Sequence, residues 1–122
     1  MNLKKHILLF LFAIIAAISL AQDLRLILFN KTGQRLDSLA FDDLMLGNLE
    51  NNDSLYITQL NGLTMNGPYL IHKVTAKLLN NKMVQSLSGC GTKSSQVNSG
   101  VYKYEIVLYK NTYSERIGLI KM

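Results

Sequence analysis

The sequence predicts an all-β chain, a small antiparallel β-sandwich of about seven to eight strands behind an N-terminal signal peptide. Three observations predict it. Polar clusters rich in Asn, Asp and Gly recur at spacings of roughly ten residues, the rhythm of short strands joined by turns. The stretch 98–110 runs from a turn-forming Asn-Ser-Gly into β-branched and aromatic residues with a period of two. Charged and small residues flank an apolar run at residues 7–20, as export signals require.

The export segment comes first. Lys4 and Lys5 give a positive start, and Ser19-Leu20-Ala21 places small residues three and one positions before a cut between Ala21 and Gln22. The apolar run is shorter than the roughly 20 residues a spanning helix needs. Removing 21 of the 122 residues leaves 101, which suits a single domain at 22–122. That domain is expected in the periplasm or outside the cell, with no membrane span after cleavage.

Residues 24–29 read as the first strand, with Leu24, Leu26 and Leu28 on one face. Residues 30–33 form a turn, because Asn and Gly tolerate positive φ. The next strand, 35–41, breaks the pattern: strict alternation sets Leu36 and Leu39 on opposite faces. Asp42-Asp43 divides it from the apolar stretch 44–49, and the polar turn 50–53 leads to a strand at 54–60. Residues 69–79 fit two templates. A helix after Pro68 would carry Ile71, Val74, Thr75 and Leu78 on one stripe, and would change the class to α+β. A strand would line Leu70, His72, Val74, Ala76 and Leu78 on one face. The strand is preferred, because Asn80-Asn81 then turns it into a second strand at 83–87. Residues 88–100 are polar, with a short edge strand possible through 92–97. In the strand after Gly100, Tyr102, Tyr104, Ile106 and Leu108 share one face, opposite Lys103 and Glu105. A turn at 111–114 pairs it with a last strand at 115–122.

Charge divides along the chain. From Gln22 to Asn66 three basic residues face six acids, and from Gly67 onward eight face two. Such a split supports contact with an anionic surface or head-to-tail self-contact. Cys90 is the lone cysteine, so no internal disulfide is available and stability must come from packing.

Chemistry-bearing motifs are sparse. The run 89–94 resembles a phosphate loop, but Thr92 separates Gly91 from Lys93-Ser94 and no helix opens behind it. Cys90 with His72 is the one conceivable nucleophile and base pair of the mature chain, and nothing local signals their geometry. One His and one Cys fall short of a metal site. Asp42, Asp43, Glu50 and Asp53 reproduce no calcium loop and read as turn and solubility residues. No cofactor or nucleic acid is expected. A basic, partly aromatic surface made of Lys73, Lys77, Lys103, Tyr109 and Lys110 is the candidate for partner binding, if the two strands that carry it are neighbours. Edge lysines that guard against aggregation are the plainer reading.

The segment Asn98-Ser99-Gly100-Val101-Tyr102-Lys103-Tyr104 resembles the approach to strand F of immunoglobulin-like and fibronectin-III-like sandwiches. The resemblance implies a fold and no activity. It would make Tyr102 a tyrosine corner, its hydroxyl bonding back to nearby backbone. Tyr104 stands where immunoglobulin domains carry their second cysteine, and the chain has no tryptophan. As a whole the chain is similar to small exported proteins of Gram-negative bacteria. The expected function is a non-enzymatic exported module that binds a protein or an anionic glycan of the envelope. The alternatives are a self-assembling envelope subunit and a small enzyme using Cys90 and His72.

Overall fold

In the computed structural model the chain is mostly β, and residues 4–9, 23–86 and 94–122 are described. Residues 4–9 are helical and exposed, and no helix among the described residues is long and apolar enough to cross a membrane. The cut after Ala21, Cys90 and the phosphate-loop-like run up to Lys93 lie outside the described residues.

The strands are β1 (Leu24–Asn30), β2 (Leu36–Phe41), β3 (Leu44–Leu49), β4 (Ser54–Ile57), β5 (Leu63–Asn66), β6 (Tyr69–Leu70), β7 (Val74–Lys77), β8 (Met83–Gln85), β9 (Ser95–Val97), β10 (Gly100–Lys110) and β11 (Glu115–Lys121). They form three sheets, ordered β11-β10-β1-β4, β3-β2-β7-β8 and β6-β5-β9. The eleven strands among the described residues exceed the seven or eight expected, partly because β6, β8 and β9 are only two or three residues long. The sandwich is also not wholly antiparallel. β1 and β10 run parallel over Leu24–Asn30, from Leu24 opposite Gly100 to Asn30 opposite Ile106. Distant segments thus meet at the centre of the first sheet.

All three sheets feed one core. Leu26, Leu28, Tyr104, Ile106 and Ile117 come from the first, Leu36, Leu39, Phe41, Val74 and Ala76 from the second, and Leu63, Met65 and Leu70 from the third. The even residues of β10 point inward as alternation requires, with Tyr104 and Ile106 fully buried. The 69–79 stretch is strand rather than helix but not one strand: it splits into β6 in the third sheet and β7 in the second, with a bend at His72 between them. β7 pairs antiparallel with β8 across the turn at Asn81. A helix is absent there because Leu70, Val74, Ala76 and Leu78 bury along a period of two.

β2 shows how the sequence escapes its own irregularity. Its pairing slips between Leu36 and Leu39 against β3 and between Asp37 and Ala40 against β7, and Ser38 takes φ 50°. This bulge turns Leu36 and Leu39 to the same side, and both are fully buried. The Asn48 carboxamide oxygen accepts the Ser38 N–H at 3.2 Å.

Asn30 ends β1 through its side chain rather than through a positive φ. The residue is fully buried, and its Nδ2 donates to the carbonyls of Gln34 (2.8 Å) and Leu49 (3.0 Å). Its Oδ1 accepts the Thr32 N–H and hydroxyl. Every polar valence of the buried amide is met, and it ties the β1–β2 turn to the end of β3. Gly33, at φ 88°, supplies the left-handed step of that turn.

Among the described residues Tyr102 makes no tyrosine corner. Among the described residues its hydroxyl has no hydrogen-bond partner, and its ring folds back over Gly100. Tyr104 is the tyrosine that enters the core, its hydroxyl 3.3 Å from the Met65 sulfur.

Candidate functional site

The residues marked as a basic surface do not come together. Lys77 is on β7 and Lys73 just before it, in the second sheet, whereas Lys103, Tyr109 and Lys110 are on β10, in the first. β7 pairs with β2 and β8, and β10 with β1 and β11, so the two strands are not neighbours. Lys77 lies opposite Asp37, which is itself held by Arg35 at 2.7 Å. Lys110 leaves the group for a second reason. It sits opposite Glu115 on the face that β10 turns inward, and its ammonium is 3.4 Å from that carboxylate.

What survives is the outer face of the first sheet, around Lys103 and Tyr109. Register places Val101, Lys103, Glu105, Val107 and Tyr109 of β10 on it, with Arg25, Ile27 and Phe29 of β1 beside them. Tyr56 joins from β4, opposite Ile27, while Arg116 and Ile120 join from β11, opposite Tyr109 and Glu105. Tyr56 (64%), Val101 (56%), Tyr109 (48%) and Ile120 (45%) stay exposed. Three cations, Arg25, Lys103 and Arg116, stand among them against the acid Glu105, with Asp23 4.0 Å from Arg25 at the edge. The face is therefore basic and aromatic at its surface, over a buried Ile27.

Tyr109 lies across its own sheet. Its ring lies on Gly118, where a Cβ would come within 2.3 Å of the Tyr109 Cε2. The Arg116 guanidinium stands 5.9 Å from the ring centroid. A glycine that lets an aromatic ring cover the neighbouring strand, with a cation over it, holds that ring at low entropic cost.

A cleft of about 390 Å³ opens where β1 begins, lined by Asp23, Arg25, Thr58, Asn61 and Asn98, with Leu24 and Leu60 as its apolar residues. Arg25 belongs to both the cleft and the outer face. Its ion pair with Asp23 is long, 4.0 Å, and both side chains are more than half exposed. Such a pair holds little energy and leaves the guanidinium able to turn to a ligand.

His72 is placed quite differently from a general base. Its Nδ1 is 2.6 Å from Asp42 Oδ2, and its Nε2 accepts the Thr64 N–H at 2.9 Å. The acceptor role of Nε2 puts the proton on Nδ1, which donates to Asp42. Phe41 stacks on the ring at 4.8 Å. Asp42, at φ 50° in the β2–β3 turn, also accepts the Lys73 N–H at 3.0 Å. Both imidazole nitrogens are thus engaged, and the ring joins the second sheet to the third. Among the described residues no three His, Cys, Asp or Glu side chains group to hold a metal ion.

The sequence could not show the outer face as a unit, because it is made by the β1–β10 parallel pairing of segments some 76 positions apart, as in Leu24 with Gly100. The one available signal was the apolar out-facing set Ile27, Phe29 and Val107 in strands whose other face already filled the core.

No protein-family model matches the chain. No curated protein matches it. Among solved structures it is similar to the NMR structure of a protein from Eubacterium rectale, at 11% identity and TM-score 0.47, over 82% of this chain and 88% of that one.

Proposed function

We propose that the protein is an exported, non-enzymatic binding module that holds an anionic glycan on the outer face of the β11-β10-β1-β4 sheet. One observation carries the reading. Three cations, Arg25, Lys103 and Arg116, share a single sheet face with the exposed rings of Tyr56 and Tyr109. Cations at sheet spacing meet carboxylates along a chain, and flat rings meet the apolar faces of sugars between them. The polar cleft at the end of the face favours a glycan over a protein partner, since five of its seven lining residues are polar. The engagement of both His72 nitrogens supports a binding role over one in proton transfer. Export is supported by the charged, apolar and small-residue succession of residues 1–21. An immunoglobulin-like character for the sandwich belongs to the same proposal, and rests on the 98–104 segment at the head of β10.

Calorimetric titration with polygalacturonate tests the reading, with neutral dextran as control. Binding should be lost in the Lys103→Glu/Arg116→Glu double variant and kept in Lys73→Glu/Lys77→Glu, whose charges sit on another sheet. It should also weaken as salt rises past physiological strength, where the screening length is about 8 Å. Equal loss in both double variants would reduce the interaction to net charge and overturn the reading.

A further inference from the structure

Building on the glycan reading, we infer that the cleft at the head of β1 is an end-group subsite for one carboxylated sugar. The lining is matched to such a ligand and to few others. Arg25 offers a planar fork of N–H donors, the partner a carboxylate takes in two parallel hydrogen bonds. Asp23, next to it, is an acceptor only, and adjacent sugar hydroxyls are donors that a carboxylate can take as a pair. Asn61 and Asn98 each bring a donor and an acceptor, and Thr58 a hydroxyl that serves as either. Arg25 and Asp23 cancel in charge, so the cleft asks for a ligand with both a carboxylate and neutral hydroxyls. A lipid or an apolar peptide side chain would find only Leu24 and Leu60.

Size and position agree with this. A volume of about 390 Å³ is at the small end of ligand sites, which run from roughly 300 to 1,000 Å³. That suits an end residue rather than a long chain. Arg25 connects the cleft to the outer face, with Tyr56 exposed opposite Ile27 one step along the same face. A chain whose last sugar sits in the cleft would therefore continue across Tyr56 and Lys103.

The test uses D-galacturonic acid and D-galactose as monosaccharide probes, followed by NMR titration of the full protein, alongside polygalacturonate. Galacturonic acid should bind and galactose bind at least about tenfold more weakly. Asp23→Asn and Asn61→Ala, exposed positions that leave Arg25 in place, should each weaken galacturonic acid binding by about tenfold. The Lys103→Glu/Arg116→Glu variant should lose the polymer and keep the monosaccharide. Polymer binding with no monosaccharide binding, or with no effect of Asp23→Asn and Asn61→Ala, would overturn the subsite and leave the face. Equal binding of galactose would overturn the carboxylate requirement. Binding of neither the monosaccharides nor the polymer would overturn both.

Discussion

His72 Nδ1 lies 2.6 Å from Asp42 Oδ2, and this pair, completed by the Thr64 amide on Nε2, joins two sheets that share no strand. Asp42 does more than turn the chain between β2 and β3. Its second oxygen takes the Lys73 N–H, and its own N–H donates to the Lys73 carbonyl at 2.7 Å. Removing the ring strands one amide donor and one carboxylate. His72→Ala should therefore destabilise the fold by about 1–3 kcal/mol. Asp42→Asn suits the left-handed backbone but keeps one acceptor oxygen for two donors and turns an NH2 toward the other, so it should cost about 1 kcal/mol, less than loss of the ring. Urea unfolding of the two variants checks the order. No cost for Asp42→Asn beside a full cost for His72→Ala would mean that the imidazole serves only as packing against Phe41.

Tyr104 and Tyr102 should separate cleanly. Burial, with a smaller contribution from Tyr102, raises the pKa of the Tyr104 phenol above the usual 10.0. The folded protein then holds a proton that the unfolded chain releases near pH 10. Stability from this group is complete below that pH and falls as pH rises through and beyond it. The urea midpoint of the wild type should decline between about pH 9 and pH 11 more steeply than that of Tyr104→Phe. Tyr102→Phe, which removes a hydroxyl with no partner among the described residues, should track the wild type and change stability by less than about 0.5 kcal/mol.

The β2 bulge makes a further claim. Ser38 sits at φ 50°, and the slip there is what buries Leu36 and Leu39 together. Ser38→Val places a β-branched residue in the left-handed region and should cost about 1–2 kcal/mol. Ser38→Gly should be neutral or better, as read by thermal unfolding.

Gly118→Ala tests the seat of Tyr109 without touching charge. The new methyl would meet the Tyr109 ring, which is half exposed and free to swing outward. Stability should fall by no more than about 1 kcal/mol. Polygalacturonate affinity should fall by about threefold to tenfold, because the ring leaves its place beside Arg116. Unchanged affinity would remove Tyr109 from the binding face.

Alternation made β1, β7 and β10 legible in the sequence, because Leu26, Val74 and Tyr104 each recur on a clean period of two. It failed at β2, where the bulge at Ser38 breaks the period, and it did not reveal β5, whose four residues bury only Leu63 and Met65. The candidate surface was half legible. Lys103 and Tyr109 share a face by parity, which any strand guarantees. Whether Lys73 and Lys77 lie beside them depends on strand order, a matter of long-range pairing that residue periodicity does not encode. The same holds for Arg25 and Arg116, which reach Lys103 only because β10 takes β1 on one side and β11 on the other.

The most direct measurement is an amide-resolved NMR titration of the protein with a short oligogalacturonate. Shifts are expected at Arg25, Tyr56, Lys103, Tyr109 and Arg116, spreading to Asn61 and Asn98 at the cleft, with Lys73 and Lys77 unmoved. Shifts centred on Lys73 and Lys77, or spread evenly over every lysine and arginine, would contradict it.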